Sequence, residues 1–229
     1  MSRLKCVIFM GSTRGPEELG PFPGRIGDRV NNFLVKQLGQ EVEIRVIDPA
    51  DPNYLLPLLH TPYHWSKMMG EKPTSPNMQR LNDDVAWADC YVFVTPEYNY
   101  SIAPGLSNLI AHVAPVKFGG KMARKPSLLV TYSMGLYGGA RAGIQLLAMA
   151  SEIGTVVCGN QTNIIEAHQS LTPGGDEVPP KGWNQDQVPP ITQGFQLAKK
   201  EFLFVAQALA TARQAAEAQR KQKKQQAKL

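Results

Sequence analysis

Gly11-Ser12-Thr13-Arg14 stands directly after an apolar run and combines a small residue, two hydroxyls and a guanidinium. The run has the continuous apolarity of a buried parallel strand, so these residues are predicted to form a strand-to-helix turn. At such a turn backbone N–H groups and the helix dipole attract an anion, hydroxyls donate hydrogen bonds, and a guanidinium adds fixed charge. The stretch therefore predicts a phosphate site, although turns of this kind also serve simply as helix caps.

A second basic residue, Arg25, stands at the end of the long loop that follows this turn. It could be a further phosphate contact, or an ordinary solvated arginine just before a helix. The turn lacks the GxGxxG pattern, which disfavours a Rossmann dinucleotide site at this position.

Thr95-Pro96-Glu97-Tyr98-Asn99 ends another short apolar run. A buried strand that finishes in a proline, an acid, an aromatic ring and an amide brings backbone hydrogen-bonding groups and a flat surface together. In an open α/β sheet, ligands bind in the crevice at the carboxyl ends of the strands. We therefore expect one wall of a site for a planar, hydrogen-bonding ligand. Glu97 resembles a catalytic acid in isolation, but we expect a structural role.

A third stretch runs from Ser133 to Ala142 and is rich in glycine, with Gly135 and Gly138 among its residues. Its glycines allow close backbone approach to a flat ligand, or simply form the turn. Its position after another predicted strand favours the first interpretation.

Strand-like and helix-like segments alternate along the chain, which indicates an α/β fold with a parallel sheet and helices on both faces. The predicted strands are 5–10, 42–47, 91–94, 127–132 and a last one that starts at 155 and is interrupted at 159–161. The predicted helices are 26–38, 78–88, 106–113, 140–153 and 194 to about 214. Five strands in this pattern suit a flavodoxin-like, three-layer doubly wound fold with the strand order 2-1-3-4-5. The Pro-rich segments 48–77 and 171–190 could be surface elaborations, a lid or a subunit contact.

Positive charge is concentrated at the carboxyl end of the chain. Residues 213–229 hold six Lys/Arg and one acid, whereas residues 1–212 carry 18 basic and 18 acidic side chains. We expect one domain over residues 1–212 and a basic helical or disordered tail over residues 213–229. The tail would be a solvated helix end, or would contact RNA, an anionic membrane or another protein.

The cysteines and histidines give little sign of metal or nucleophilic chemistry. Cys6, Cys90 and Cys158 lie in or beside apolar runs without metal-ligand spacing, so buried free thiols are expected. His60 and His64 are four residues apart, but the prolines around them make a shared helical face and a zinc pair doubtful. We expect no metal site. Free thiols and the absence of a signal-like amino terminus favour the cytoplasm.

The three site stretches together resemble the NADPH-dependent FMN reductase family, which includes flavodoxin-like quinone, chromate and azo-dye reductases. The matching motifs are GSTR after the first strand, TPEYNYS after the third and SMGLYGGARA after the fourth. The resemblance covers about residues 4–165. The chain departs from the family pattern after the third strand, where Ser107 and Ala111 replace a usual Lys and Asp.

The resemblance implies FMN as the cofactor. Ser12 and Arg14 would bind its phosphate, with a contribution from Thr13. The ring would lie against Pro96, Glu97, Tyr98 and Asn99, mostly against their main chain. Ser133 and Gly135 would approach from the fourth-strand loop, where Gly138 would leave space.

By the same resemblance, the chain would be an NAD(P)H-dependent oxidoreductase. NADPH or NADH would deliver hydride to flavin N5 and leave. A small-molecule acceptor would then bind at the same face and take up the reducing equivalents, in ping-pong turnover. The acceptor would be a quinone or a similar compound, among them free flavin, chromate or an azo compound. Family members are commonly homodimers or homotetramers. The alternatives are a flavodoxin-like electron carrier and a non-catalytic binding or scaffold protein that uses the basic tail.

Overall fold

A parallel sheet forms the centre of the protein. The computed structural model describes residues 3–15, 24–61, 75–113 and 120–226. The strands are β1 (Leu4–Met10), β2 (Val42–Ile47), β3 (Cys90–Tyr98), β4 (Ser101–Ile102), β5 (Pro126–Tyr132), β6 (Val156–Val157) and β7 (Thr162–Ile164). The helices are α1 (Ile26–Leu38), α2 (Pro76–Trp87), α3 (Pro104–Ala111), α4 (Ala140–Glu152), α5 (Ala167–Ser170) and α6 (Pro190–Gln226). The order β2-β1-β3-β5-β6 confirms the predicted doubly wound fold.

Two short pieces, β6 and β7, occupy the position of the predicted fifth strand. Both pair in parallel with β5, β6 at its beginning and β7 at its end. The chain leaves the sheet between them, where residues 158–161 include Gly159. The strand count therefore differs from the five predicted. A further addition is β4, which pairs antiparallel with the end of β3.

Both faces of the sheet are covered by helices. On one face α1 and α6 pack through Val30, Phe33, Phe195 and Phe202, which are at most 1% exposed. On the other face α2, α3 and α4 form a second apolar cluster. Because the sheet is buried on both sides, its central strands are almost continuously apolar, which made them recognisable in the sequence.

The last helix is longer than the sequence pattern predicted. It begins at Pro190 and continues to Gln226, beyond the expected end near residue 214. Its buried residues end at Ala210, and residues 214–226 are all exposed. This exposed part consists of Ala, Gln, Lys, Arg and Glu, which are strong helix formers and need no packed apolar face to continue the helix.

The Pro-rich segment after α5 is fastened to α1. Arg29 donates hydrogen bonds to the carbonyls of His168 and Leu171, at 2.7 and 2.9 Å. Gly175 has φ +84, and a Cβ added there would lie 2.3 Å from the backbone nitrogen of Phe33. Segment 171–190 is therefore an ordered element in the described part of the chain. Residues 62–74 of the other Pro-rich segment, which include His64, lie outside the described residues.

Gly175→Ala is expected to lower the free energy of unfolding by more than about 2 kcal/mol, because a backbone clash is added to left-handed strain. Gly182→Ala is the matched control, since Gly182 has φ +83 but nothing within 4 Å of an added Cβ. The control should lose about 1 kcal/mol from strain alone. Urea unfolding followed by circular dichroism measures both values. Equal losses would contradict the packing of this segment on α1.

Candidate functional site

A cleft of about 420 Å³ lies at the carboxyl edge of the sheet, where β1, β3 and β5 end. Its volume falls in the range of small-molecule sites, roughly 300–1,000 Å³. It is bordered by the loops after these three strands and by the start of α1. The lining residues are Ser12, Arg14, Arg25, Ile26, Gly27, Pro96, Glu97, Tyr98, Asn99, Tyr132, Ser133 and Met134. Most of the residues predicted from the three sequence stretches are among them.

The amino terminus of α1 forms the deep end of the cleft. Its N-cap residue, Arg25, makes no side-chain capping hydrogen bond, so the first N–H groups of the helix have no side-chain cap. A Cβ added to Gly27 would lie 3.0 Å from the Tyr132 hydroxyl and 3.5 Å from Arg25 Nε. The missing side chain at Gly27 thus leaves space beside these two donors. Such an arrangement of N–H groups and a helix dipole suits an anion.

Arg25 is buried, and the alternative of a solvated arginine is wrong. The residue is 4% exposed. Its guanidinium forms an ion pair with both carboxylate oxygens of Asp48, the residue that follows β2, and donates to the Ser12 carbonyl. Its Nε is buried without a hydrogen-bond partner in the described protein. Arg25 therefore has one donor free at the deep end of the cleft, while Asp48 fixes the rest of the group.

Tyr132 adds a neutral donor beside this arginine. Its side chain is 4% exposed at the end of β5. Burial raises the pKa of the Tyr132 hydroxyl above its ordinary value. The hydroxyl consequently stays protonated over the whole physiological range and can donate a hydrogen bond to an anion.

Of the other residues in the turn after β1, Ser12 and Arg14 line the cleft, whereas Thr13 does not. Ser12 is 3% exposed, and its hydroxyl accepts a hydrogen bond from the backbone of Arg14 at 3.3 Å. The Arg14 guanidinium is exposed and lies 5.9 Å from the centre of the Tyr98 ring. The methyl group of Thr13, by contrast, would be 2.7 Å from a Cβ on Gly105, so Thr13 packs towards α3 and does not line the cleft.

Glu97 fastens the wall of the cleft to α4. Its carboxylate accepts hydrogen bonds from the backbone of Arg141 and Ala142, at 3.2 and 3.4 Å, and from Arg141 Nε at 2.9 Å. The N-cap of α4 is Gly139, which has no side chain to offer. Glu97 therefore caps this helix from the end of β3 and neutralises part of its dipole.

A tight hairpin joins β3 to β4 at the rim of the cleft. Tyr98 pairs with Ser101, so the loop consists of Asn99 and Tyr100, both with positive φ, 49° and 63°. Two such residues form the type I′ turn that suits a two-residue hairpin. Tyrosine rarely adopts this conformation. The ring of Tyr100 lies 3.6 Å from the Arg141 guanidinium, a contact that helps to offset the strain.

The loop after β5 contributes Ser133 and Met134 to the cleft. The Ser133 hydroxyl donates to the Gly135 carbonyl at 2.9 Å and lies 3.2 Å from the Gly135 N–H, which shapes the turn. Gly135 does not line the cleft. Gly138 also lies outside it, since its φ is +56 and a Cβ there would meet Ile165 and Asn163 within 3.1 Å. The space at Gly138 thus serves packing against β7.

Four lining residues were absent from the sequence predictions: Ile26, Gly27, Tyr132 and Met134. Gly27 and Tyr132 did have a signal. A glycine in the first turn of a helix indicates close approach, and Tyr132 is the polar-tipped residue at the end of an apolar strand. Their meeting depends on how α1 crosses the end of β5, which no local pattern encodes.

The other reactive side chains lie elsewhere. The three cysteines are free and buried, as predicted. His112 is 7% exposed, and its Nε2 lies 3.1 Å from the Pro57 carbonyl, so it is a paired polar residue. No three His, Cys, Asp or Glu side chains of the described ranges are grouped as metal ligands would be. The expectation that His60 and His64 form no zinc pair is not tested, because His64 lies outside these ranges. Within the described helices, no segment has the length and apolarity needed to cross a membrane.

The fold is that of a flavodoxin-like α/β protein, with a small-molecule cleft at the carboxyl edge of its sheet. The profile of the NADPH-dependent FMN reductase family matches residues 4–169, and the chain belongs to that family. FMN is accordingly its cofactor and NAD(P)H its co-substrate.

Named relatives agree with this assignment. A quinone reductase of Escherichia coli (strain K12) is 35% identical over 144 residues, which are 63% of this chain and 68% of that protein. An NAD(P)H-dependent FMN reductase of Nectria sp is 28% identical over 143 residues, 62% of this chain and 65% of that protein. The structure also resembles that of FerB, a flavoenzyme NAD(P)H:(acceptor) oxidoreductase from Paracoccus denitrificans, with a TM-score of 0.57. That likeness covers 91% of this chain and 98% of FerB at 16% identity, and it concerns the fold alone.

The chemistry of the cleft fits FMN. Its deep end has donors suited to a phosphate: Arg25 Nε, which has no partner in the described protein, with the first turn of α1 and the Tyr132 hydroxyl beside the space at Gly27. Its outer part is bordered by Pro96–Asn99 and Met134, which suit a flat ring.

Gly27→Ala is expected to weaken FMN binding by about tenfold, equivalent to about 1.4 kcal/mol. The added Cβ would lie 3.0 Å from the Tyr132 hydroxyl and would take part of the space left for the phosphate. Quenching of flavin fluorescence on titration of the FMN-free protein measures the dissociation constant. Gly194→Ala is the control, because Gly194 is also helical but has nothing within 4 Å. Equal affinity of the two variants would contradict the placement of the phosphate at α1.

Proposed function

We propose that this enzyme passes electrons from NAD(P)H to quinones or similar small acceptors, and that the cleft described above holds the FMN that carries them. The observation that carries the proposal is that one cleft combines two parts. Hydrogen-bond donors line its deep end and suit a phosphate, and Pro96–Asn99 with Met134 border its outer part and suit a flat ring. For a quinone the reaction is NAD(P)H + H⁺ + quinone → NAD(P)⁺ + hydroquinone. FMN, when bound, takes hydride at its N5 atom and delivers two electrons to the acceptor in a ping-pong cycle.

In this proposal the chain's own residues bind and orient. Ser12, Arg14 and Arg25, together with Tyr132 and the first turn of α1, hold the phosphate. The main chain of Pro96–Asn99 lies against the ring, and Ser133 borders it from the loop after β5. Arg14 is the exposed cation among these residues, and it would contact the phosphate from the solvent side.

Glu97 is assigned a positioning role and not that of a proton donor. Its carboxylate is occupied by two backbone N–H groups and by the Arg141 guanidinium. These partners hold the Glu97 carboxylate against α4, so we assign the proton that the reaction consumes to solvent.

We also propose that the enzyme acts in the cytoplasm as a homodimer or homotetramer. Tyr100 and Tyr137 support a subunit contact, because both rings are about two-thirds exposed at the rim of the cleft, at 63% and 67%. Large exposed aromatic rings are frequent at protein interfaces.

The purified protein should be yellow with bound FMN and should oxidise NADPH or NADH while reducing a stoichiometric amount of a water-soluble benzoquinone. Initial rates at several concentrations of both substrates should give parallel double-reciprocal lines, as expected for ping-pong turnover. The measurement is absorbance at the nicotinamide and flavin bands, with FMN identified by chromatography. Protein that holds FMN but is reduced by neither nucleotide would be an electron carrier. Colourless protein that takes up no FMN would refute the proposed function.

Residues beyond Arg213 are proposed to be an appendage that the reaction does not need. A truncation that ends at Arg213 should keep kcat/KM within about twofold, because residues 214–226 are exposed. A truncation that ends at Ala212 is the matched control and should lose about 1 kcal/mol of stability, since Arg213 donates to the Arg124 carbonyl and pairs with Asp89. Kinetics and thermal unfolding compare the two. A large loss of activity in the variant that ends at Arg213 would show that the tail belongs to the site or the assembly.

A further inference from the structure

A second cavity lies beside the FMN cleft and is larger than it, with a volume of about 670 Å³. One wall is formed by the end of β7 and by α5. The opposite wall is formed by residues 177–181 and by the start of α6. Because β7 runs parallel to β5, this cavity and the FMN cleft open at the same edge of the sheet.

Within the described residues, two hydrogen-bonded backbone segments lie between the cavity and the cleft. Ser133 lines the FMN cleft, and its N–H donates to the carbonyl of Ile164 at 3.2 Å. Glu166 lines the second cavity, and its N–H donates to the carbonyl of Gly135 at 3.2 Å. The loop after β5 and the chain after β7 thus form one shared wall.

The lining of the second cavity is half apolar, since six of its twelve residues are prolines or aliphatic residues. It contains Pro179, Pro180 and Pro190, which have no backbone N–H, and the side chains of Ile165 and Val178. Ile165 and Val178 are 42% and 46% exposed in spite of their apolar side chains. A wall of this composition favours contact with an uncharged apolar group.

Five of the six polar side chains of the lining have partners within the protein, and the sixth is Lys181, which makes no ion pair within the described residues. The Glu177 carboxylate accepts from the backbone of Ile191 and Thr192, at 2.7 and 2.6 Å, and so caps α6. Gln169 donates to the Glu166 carboxylate at 2.8 Å. A polar ligand would have to compete for these groups, whereas an apolar one leaves every hydrogen bond in place.

Exposed apolar side chains connect the mouth of the FMN cleft with this cavity. Met134, which lines the cleft, is 47% exposed, and Leu136 is 72% exposed. Two residues further on, Gly138 packs against Ile165 of the cavity wall. An acceptor whose ring lies over the cleft could therefore extend an apolar chain across the loop after β5. Residues 133–139 of this loop include no charged side chain.

We infer that the second cavity binds the apolar chain of the acceptor, and that the preferred substrates are quinones with an isoprenoid or alkyl substituent. The inference rests on the proposed function, because it assigns the substrate class of that same site. The chain of the acceptor takes no part in the electron transfer. It contributes binding energy at a distance from the reacting ring, and this contribution appears in kcat/KM.

The test compares three quinones that share one ring. The tail-free compound is 2,3-dimethoxy-5-methyl-1,4-benzoquinone, and the other two carry one and two isoprenyl units. In the wild-type holoenzyme, kcat/KM should rise by at least about tenfold from the tail-free compound to the longest one, as burial of apolar carbons predicts. In Val178→Asp the rise should fall to about twofold or less, because a charged group then replaces an apolar one in the wall that contacts the tail.

Val188→Asp is the matched control. Val188 lies in the same Pro-rich segment and is 45% exposed, against 46% for Val178, but it does not line the cavity. This variant should keep the wild-type dependence on the tail. Val178→Ser provides a milder change, for which an intermediate dependence is expected. FMN content and circular dichroism verify that every variant is folded and loaded.

The possible failures are distinguishable. If the wild-type enzyme reduces no quinone, the proposed function fails. If it reduces all three with similar kcat/KM, or if the two aspartate variants behave alike, the proposed function stands and the apolar subsite is refuted. If Val178→Asp alone changes the oligomeric state and leaves the dependence on the tail intact, the cavity is a subunit contact and the inference is overturned.

Discussion

The parallel pairing of β1, β3 and β5 is the constraint on which the rest of the site depends. Met10 is in register with Val94, and Pro96 with Tyr132, so the three strands end at one edge. The loops that follow them are far apart in sequence and form one cleft only because of this register. A shift by a single residue would also turn buried side chains to the opposite face of the sheet. The two apolar clusters, one on each face, hold the register in place.

Charged residues around the cleft are mainly occupied in fixing its walls. Asp48 orients Arg25 at the start of α1, and Glu97 caps α4 while it binds Arg141. Both pairs join elements that are distant in sequence, and each has at least one member with a largely buried side chain. This use of charge suits a flavoenzyme, because the cofactor supplies the reactive atom and the protein supplies position.

Much of the fold was predictable, because each central strand is an apolar run followed by a turn of polar or small residues. The predicted strand 42–47 agrees with the structure at both ends. The predictions failed where the local signal was weak. The interruption of the fifth strand at 159–161 was predicted, but the two pieces count as separate strands, and the last helix continues on propensity alone, where no apolar face indicated its length. The hairpin extension β4 was missed because its two residues are too few to form a pattern.

The sequence by itself determined which three loops would meet and what kind of ligand they suit, because hydroxyl, guanidinium, aromatic and glycine residues follow apolar strands. Tertiary structure decided the direction of each side chain. It buried Arg25 against Asp48, turned Thr13 towards α3, placed Gly138 against β7 and brought Tyr132 beside Gly27. These outcomes depend on contacts between residues that are tens of positions apart, and on how helices cross the strand ends. A local pattern specifies the period of a strand or helix, but it carries no information on such crossings.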